Sequence, residues 1–168
     1  QTENLKLCSR LFPILLSALL FSCLRSAPET RPTGYLVVAI ESNPTHLDPR
    51  YATDANSVRI AQLIFDSLTR TDRHSQIRPL LAKHWEMLDE KTYLFHLREG
   101  VRFHNGRPLT AEDVRFTYES ILSRANSSPH RGSLAALESV NTLGPDRVLF
   151  RLRNSFAPFL AATSLGIV

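Results

Sequence analysis

The stretch that most constrains this chain runs from Tyr93 to Asp113 and reads YLFHLREGVRFHNGRPLTAED. Tyr93, Phe95 and Leu97 alternate with Thr92, Leu94, His96 and Arg98, and this period of two predicts a half-buried strand. Gly100 and the pair Asn105-Gly106 supply positions for positive φ, and Asn-Gly is among the strongest short turn signals. Pro108 keeps a helix from starting early. Thr110 then fits an N-cap, its hydroxyl placed to accept from the Asp113 amide, with Glu112 and Asp113 where the helix dipole favours carboxylates. Val114, Thr117, Tyr118, Ile121 and Leu122 continue at helical spacing. Folding alone accounts for these residues, and no chemistry is needed to explain them.

The flanking segments extend the pattern. Asp89-Glu90-Lys91 is a polar interruption behind Trp85 and Met87, so a hairpin connection is expected there, preceded by a short helical turn over Leu81–Trp85. Tyr35 to Ile40 is an apolar, β-branched run suited to a buried strand of an α/β sheet. A polar, turn-rich loop follows from Glu41 to Asn56. Val58, Ala61, Ile64, Phe65 and Leu68 then mark an amphipathic helix capped by Asn56 or Ser57. Beyond a polar loop over 125–132, Leu134–Leu137 predicts one short helix. A second hairpin turns at Gly144-Pro145-Asp146, where Val148, Phe150 and Leu152 alternate with Arg147, Leu149 and Arg151. Phe156–Thr163 predicts a last apolar helix, and Leu165–Val168 resembles a strand just beginning, so the chain is expected to be part of a longer one.

The 168 residues suffice for one domain with a core, and apolar and charged contents of 43% and 21% are ordinary globular values. Net charge is +4. Of 20 basic residues only Lys6, Lys83 and Lys91 are lysine; the rest are arginines interleaved with acids. No concentrated basic face emerges, so a nucleic-acid partner is not expected.

The N-terminus carries an address. Lys6 and Arg10 precede an apolar run from Leu11 to Phe21, which as a helix covers only about half of a bilayer core. A basic segment followed by a short apolar one is a secretion signal. It ends Leu20-Phe21-Ser22-Cys23, which resembles the lipobox of bacterial lipoproteins and makes Cys23 the expected lipidation site. Phe21 is bulkier than usual there, and an ordinary signal peptide cleaved near Ala27 is the alternative. Cys8 and Cys23 are the two cysteines, so the mature part has neither a disulfide nor a thiolate nucleophile. Pro28 and Pro32 mark a short extended tether.

Phe95 through Val114 resembles, almost position for position, the F-x-L-R-x-G-V-x-F-H-x-G-x-P-L-T-A-x-D-V signature of the bacterial extracellular solute-binding proteins of family 5. Leu47-Asp48-Pro49, Asp66-Ser67-Leu68, Pro79-Leu80-Leu81-Ala82-Lys83-His84-Trp85 and Ala157-Pro158-Phe159-Leu160 also match. Asp89-Glu90-Lys91 departs from the more usual Asp-Gly-Lys. The resemblance covers about residues 35–168 and implies an α/β, periplasmic-binding-protein-like, two-lobed fold of type II, present as the N-terminal part of lobe one plus a small hairpin-rich subdomain. The implied organisation is a lipoprotein signal peptide over 1–22, a tether over 23–34, the first strand and helix of lobe one over 35–65, the extra subdomain over 66–157, and a return to lobe one over 158–168. The implied function is the extracytoplasmic, membrane-anchored component of an ABC importer that captures oligopeptides or dipeptides and delivers them to permease subunits. Nickel chelate, haem or sugar are alternative solutes, and an extracellular ligand sensor is an alternative role. In relatives the loop after the first strand lines the cleft, which makes Thr53, Asp54 and Ala55 the candidate ligand contacts. For Asp54, a solvated loop acid or a helix-start residue is the competing reading.

No enzyme is expected. His46, His74, His84, His96, His104 and His130 are spread along the chain without a spacing such as H-E-x-x-H, so no metal site is expected, and His96 and His104 read as packing residues. No nucleophile elbow and no glycine-rich phosphate loop occurs, and no cofactor is implied. Glu112 and Asp113 are adjacent on a helix and point about 100° apart, so capping explains them better than paired acid–base work. A cell-envelope enzyme would need a catalytic constellation that these residues do not supply.

Overall fold

The computed structural model describes Gly34 and residues 36–168. The expected signal peptide, the expected lipidation site at Cys23 and nearly all of the expected tether lie outside the described residues. The chain divides into two compact units, 1–39 and 40–168, and the architecture below belongs to the second. Among the described residues no helix is long and apolar enough to cross a membrane.

Helix α1 spans Ala55–Ile64. A two-stranded antiparallel hairpin follows, β1 (Thr69–Thr71) and β2 (Ile77–Pro79). The main sheet is antiparallel with strand order β3-β4-β6-β5, built from β3 (Ala82–Asp89), β4 (Thr92–Leu97), β5 (Leu137–Thr142) and β6 (Arg147–Leu152). Helix α2 (Ala111–Leu122) links its two hairpins, with short 3-10 turns at Arg124–Asn126 and Pro129–Gly132, and α3 (Phe159–Ala162) comes last. Both sheets pair locally in sequence, so most ladder contacts close short loops.

Strand β4 is central, paired to β3 on one side and β6 on the other. It is buried on both faces, since Leu94 is covered as well as Tyr93, Phe95 and Leu97. The inner face carries Phe95, Val148, Phe150 and Leu152 against Val114, Tyr118 and Ile121 of α2. Phe150 meets Phe95 edge-on at 5.3 Å between ring centroids, Tyr118 edge-on at 4.9 Å, and Phe159 of α3 at 5.5 Å. These separations and the edge-to-face arrangements are the ones aromatic quadrupoles favour.

The expected turns and cap are present. Gly100 and Gly106 have φ of 75° and 82°. The Asp113 carboxylate accepts from the Thr110 amide at 2.8 Å and from the Thr110 hydroxyl at 2.9 Å, closing a capping box. The hydroxyl thus donates to the carboxylate, and the Asp113 amide reaches the Thr110 carbonyl at 3.2 Å. Arg107 holds the other carboxylate oxygen at 2.6 Å.

Several expectations require correction. Of the strand expected over Tyr35–Ile40, Tyr35 lies outside the described residues and residues 36–40 form no strand, because no ladder among the described residues includes them and a β conformation is held by a paired neighbour. Leu81–Trp85 is not helical: Ala82 starts β3, since pairing with β4 outweighs a weak local preference. Leu134–Ala136 is a turn, and Leu137 opens β5 opposite Leu152. Helix α1 begins at Ala55 with Asp54 as its N-cap, not Asn56 or Ser57, and ends before Phe65, whose backbone is extended. Leu68, counted into that helix by spacing, is buried instead in the main core just ahead of β1, and its carbonyl accepts from the Leu80 and Ala82 amides. The last helix is confined to four residues, and Gly166 forms an antiparallel bridge with Ser67.

Two substitutions separate aromatic packing from polar cost. Phe150→Ala removes the ring shared by three aromatic partners and should cost about 3–5 kcal/mol in urea unfolding. The Tyr118 side chain is fully buried, burial raises its phenol pKa, and its hydroxyl finds no partner among the described residues. Tyr118→Phe keeps the ring and removes that orphan, so stability should hold or rise by about 1 kcal/mol. A loss as large as that of Phe150→Ala would show that the hydroxyl is satisfied in solution.

Candidate functional site

The loop preceding α1 is held by a polar clasp centred on Asp54. Its Oδ1 accepts from the Ser57 amide at 2.9 Å, the ordinary N-cap contact. Its Oδ2 accepts from the hydroxyls of Ser57 and Thr45, both at 2.5 Å. The His46 amide donates to the Ser57 hydroxyl at 3.1 Å, and the Asn56 side-chain amide donates to the Ser42 carbonyl at 3.0 Å. Hydrogen bonds from Ser57 first, and from Thr45 next, hold the Asp54 carboxyl well below the usual carboxylate range.

A second clasp anchors the Leu-Asp-Pro element. The Arg50 guanidinium grips Asp48 through Nε at 3.0 Å and Nη2 at 2.6 Å, while its Nη1 donates to the Ser120 hydroxyl of α2 at 3.2 Å. Burial pushes the Asp48 carboxyl up, but the hydrogen bonds and charge of Arg50 outweigh it and leave the group below its ordinary value. The Ser128 hydroxyl donates to the Arg50 carbonyl at 2.7 Å, and His130 Nε2 lies 2.9 Å from the Ala52 carbonyl. Residues 48–52 are therefore fastened to α2 and to the Pro129–Gly132 turn.

Beside this loop lies a groove of about 660 Å³ lined by Pro49, Val58, Phe65, His130, Leu165 and Gly166, among others. Its floor depends on a close approach: a Cβ on Gly166 would stand 2.8 Å from the Phe65 Cβ and 3.1 Å from that of Pro49. A groove of this size with mixed apolar and polar lining suits a small solute or a segment of chain.

Of the three candidate contacts, Asp54 is committed to its cap, whereas Thr53 and Ala55 are exposed on either side of it. None of the three lines the groove. Sequence reasoning missed the Asp48–Arg50 clasp and the adjacency of His84, Glu86 and His96 on the main sheet. The signal for the latter is H-x-E on one strand with a histidine opposite on the next, which becomes legible only once the strand register is known.

The comparisons agree with this architecture. Residues 76–167 match the model described as bacterial extracellular solute-binding proteins, family 5 Middle. The chain belongs to this family. Protein XP55 of Streptomyces lividans is 36% identical over 143 residues, covering 83% of this chain and 25% of that protein. Among solved structures, NikZ from Campylobacter jejuni in complex with Ni(L-His) is 31% identical with a TM-score of 0.70, over 77% of this chain and 26% of that one. The oligopeptide-binding protein AppA from Bacillus subtilis, in complex with a nonapeptide, is 33% identical with a TM-score of 0.69, over 72% and 25%. The mixed α/β fold is thus that of the type II periplasmic-binding-protein-like proteins, of which this chain spans about a quarter of the length.

The clasp makes an acid-stability prediction. Because the folded pKa of Asp54 is depressed, its stabilisation is present above the unfolded value of about 3.9 and is lost as pH falls through the folded value. Asp54→Asn, which retains a capping side chain, should therefore make the loss of stability below about pH 4 shallower than in the wild type. Equal acid slopes would remove Asp54 from this role.

Proposed function

We propose that this chain is the N-terminal part of the solute-binding component of an ABC importer, one that captures oligopeptides or dipeptides and passes them to permease subunits. Family membership carries the reading, and the likeness to a relative crystallised with a nonapeptide favours peptide as the solute. In this account residues 35–65 and 158–168 belong to lobe one, and 66–157 form the extra subdomain. Thr53 and Ala55, flanking the capped Asp54, offer an exposed hydroxyl and open backbone at the cleft rim. Closure of two lobes on a solute requires that the solute bind the closed form more tightly than the open one, so contacts made only on closure set the response. The likeness to a structure holding Ni(L-His) supports one second reading, a nickel chelate as the solute.

Thermal shift on the complete product of the encoding gene tests this. A solute present at a hundred times its Kd stabilises by about 2.7 kcal/mol, easily read as a rise in Tm. Mixed di- and oligopeptides should raise Tm, whereas nickel–histidine complexes and sugars should not. A response to nickel–histidine alone that free nickel(II) does not reproduce would select the second reading, and no response to any of them would overturn the receptor role.

We further propose that residues 1–22 are a lipoprotein signal peptide and that Cys23 is the lipidated mature N-terminus outside the cell membrane, as the Leu20–Cys23 motif suggests. The mass of the mature N-terminal peptide should then correspond to diacylated Cys23, and Cys23→Ala should release the protein from the membrane fraction. An unmodified N-terminus near Ala27 would instead mean ordinary cleavage.

A further inference from the structure

We propose that His84, Glu86 and His96 form a binding site for a divalent transition-metal ion, zinc(II) foremost, on the outer face of the main sheet. The placement follows from strand geometry. His84 of β3 and His96 of β4 are direct partners in the antiparallel register, so their side chains leave the same face of the sheet. Glu86 is two residues beyond His84, and the period of two puts it on that face too. The helix-covered face holds Trp85, Phe95 and Phe150, so the triad lies on the opposite side from the core.

The donor atoms are close enough to share an ion. One ligand atom from each of the three residues lies within 4.8 Å of the others. His96 Nε2 stands 2.9 Å and His84 Nε2 3.8 Å from the same oxygen, Glu86 Oε1. Zinc bonds near 2.1 Å in tetrahedral geometry put donor atoms about 3.4 Å apart, so these spacings bracket what an ion needs. The two imidazoles stack at 4.2 Å between centroids, 14° from parallel, and must tilt apart to aim both nitrogens at one point. The side chains have room to do so, being 52%, 51% and 23% exposed for His84, Glu86 and His96.

The chemistry selects the class of ion. Two imidazoles and one carboxylate are a zinc-type donor set with an open fourth position, and imidazole nitrogen disfavours magnesium and calcium. Without an ion, the ring-to-carboxylate contacts are exposed polar pairs, and such pairs stabilise little. Arg147 is the register partner of His96 on β6, but its Nε donates to the Leu143 carbonyl at 3.1 Å along its own hairpin. The site stands apart from the loop and groove before α1 and does not depend on which solute the protein carries.

The test is a zinc(II) titration of the complete chain with ¹⁵N-labelled histidines, with Cys8→Ser and Cys23→Ser removing competing thiols. The imidazole signals of His84 and His96, assigned by their loss in His84→Gln and His96→Gln, should shift together and saturate at one equivalent. Glu86→Gln preserves side-chain shape at an exposed position and should weaken binding at least tenfold, while His104→Gln should leave it unchanged. Zinc(II) up to about 1 mM, the weakest binding of interest, that leaves both signals unmoved would overturn the proposal. So would a response confined to other histidines, or one that Glu86→Gln does not weaken.

Discussion

The edge-on contacts that Phe150 makes with Phe95 and Tyr118 hold this unit together. Phe95 comes from the first hairpin, Phe150 from the second and Tyr118 from the helix between them, so three segments separated in sequence share one cluster. An isolated two-stranded hairpin is marginally stable at best in water; joined through β4 and β6 the two here present a continuous apolar face that α2 can cover. The fit is close enough that the buried hydroxyl of Tyr118 is tolerated without a partner among the described residues. The gain from ring burial exceeds the cost of one desolvated hydroxyl, which is of order 1–3 kcal/mol.

Elements defined by local chemistry were legible in the sequence. The Gly106 turn, the Thr110 cap and the alternating face of Val148, Phe150 and Leu152 all follow from residues within reach of one another, and each is present. Elements defined by a distant partner were not. Ala82 joins β3 because Leu97 lies opposite, and Leu137 joins β5 because Leu152 does; nothing in the local sequence announces either pairing. The stretch 36–40 shows the converse, since its apolar composition predicts a strand but it finds no neighbour to pair with among the described residues. The cap of α1 lies two or three residues ahead of the expected Asn56 or Ser57, because Asp54, Asn56 and Ser57 all carry capping side chains and only the hydrogen bonds to Ser57 and Thr45 distinguish them.

The same division applies to the sites. Asp54 was weighed both as a ligand contact and as a helix-start residue, and its carboxylate is engaged by Ser57 and Thr45. An acid so engaged shapes the loop, so in the function proposed above the solute contacts fall to Thr53 and Ala55 and not to the Asp54 oxygens. The histidines show the limit of spacing as a guide. His84 and His96 are twelve residues apart, a separation that signifies nothing along the chain. Across a hairpin the same separation makes them direct partners, with Glu86 supplying a third donor.

What the family signature encodes can be read residue by residue. Phe95, Leu97 and Val114 fill the core; Gly100 and Gly106 take positive φ; the Arg98 Nε donates to the Leu80 carbonyl. Pro108 bridges to Arg102, while Thr110 and Asp113 close the cap that starts α2. Each position of the 95–114 signature named here solves a folding problem and none of them lines the groove beside α1, whereas Pro49, Asp66, Ser67 and Leu80 of the other matched motifs do. A signature built this way identifies a frame on which many solutes can be handled, because its positions are used up by turns, caps and packing. In the function proposed above, discrimination among solutes would fall to loops that the frame holds in place without prescribing their surface. The segment from Ser42 to Asp54 has that character: its ends are fixed by Asn56, Ser57 and Arg50, and Thr53 projects from it unencumbered.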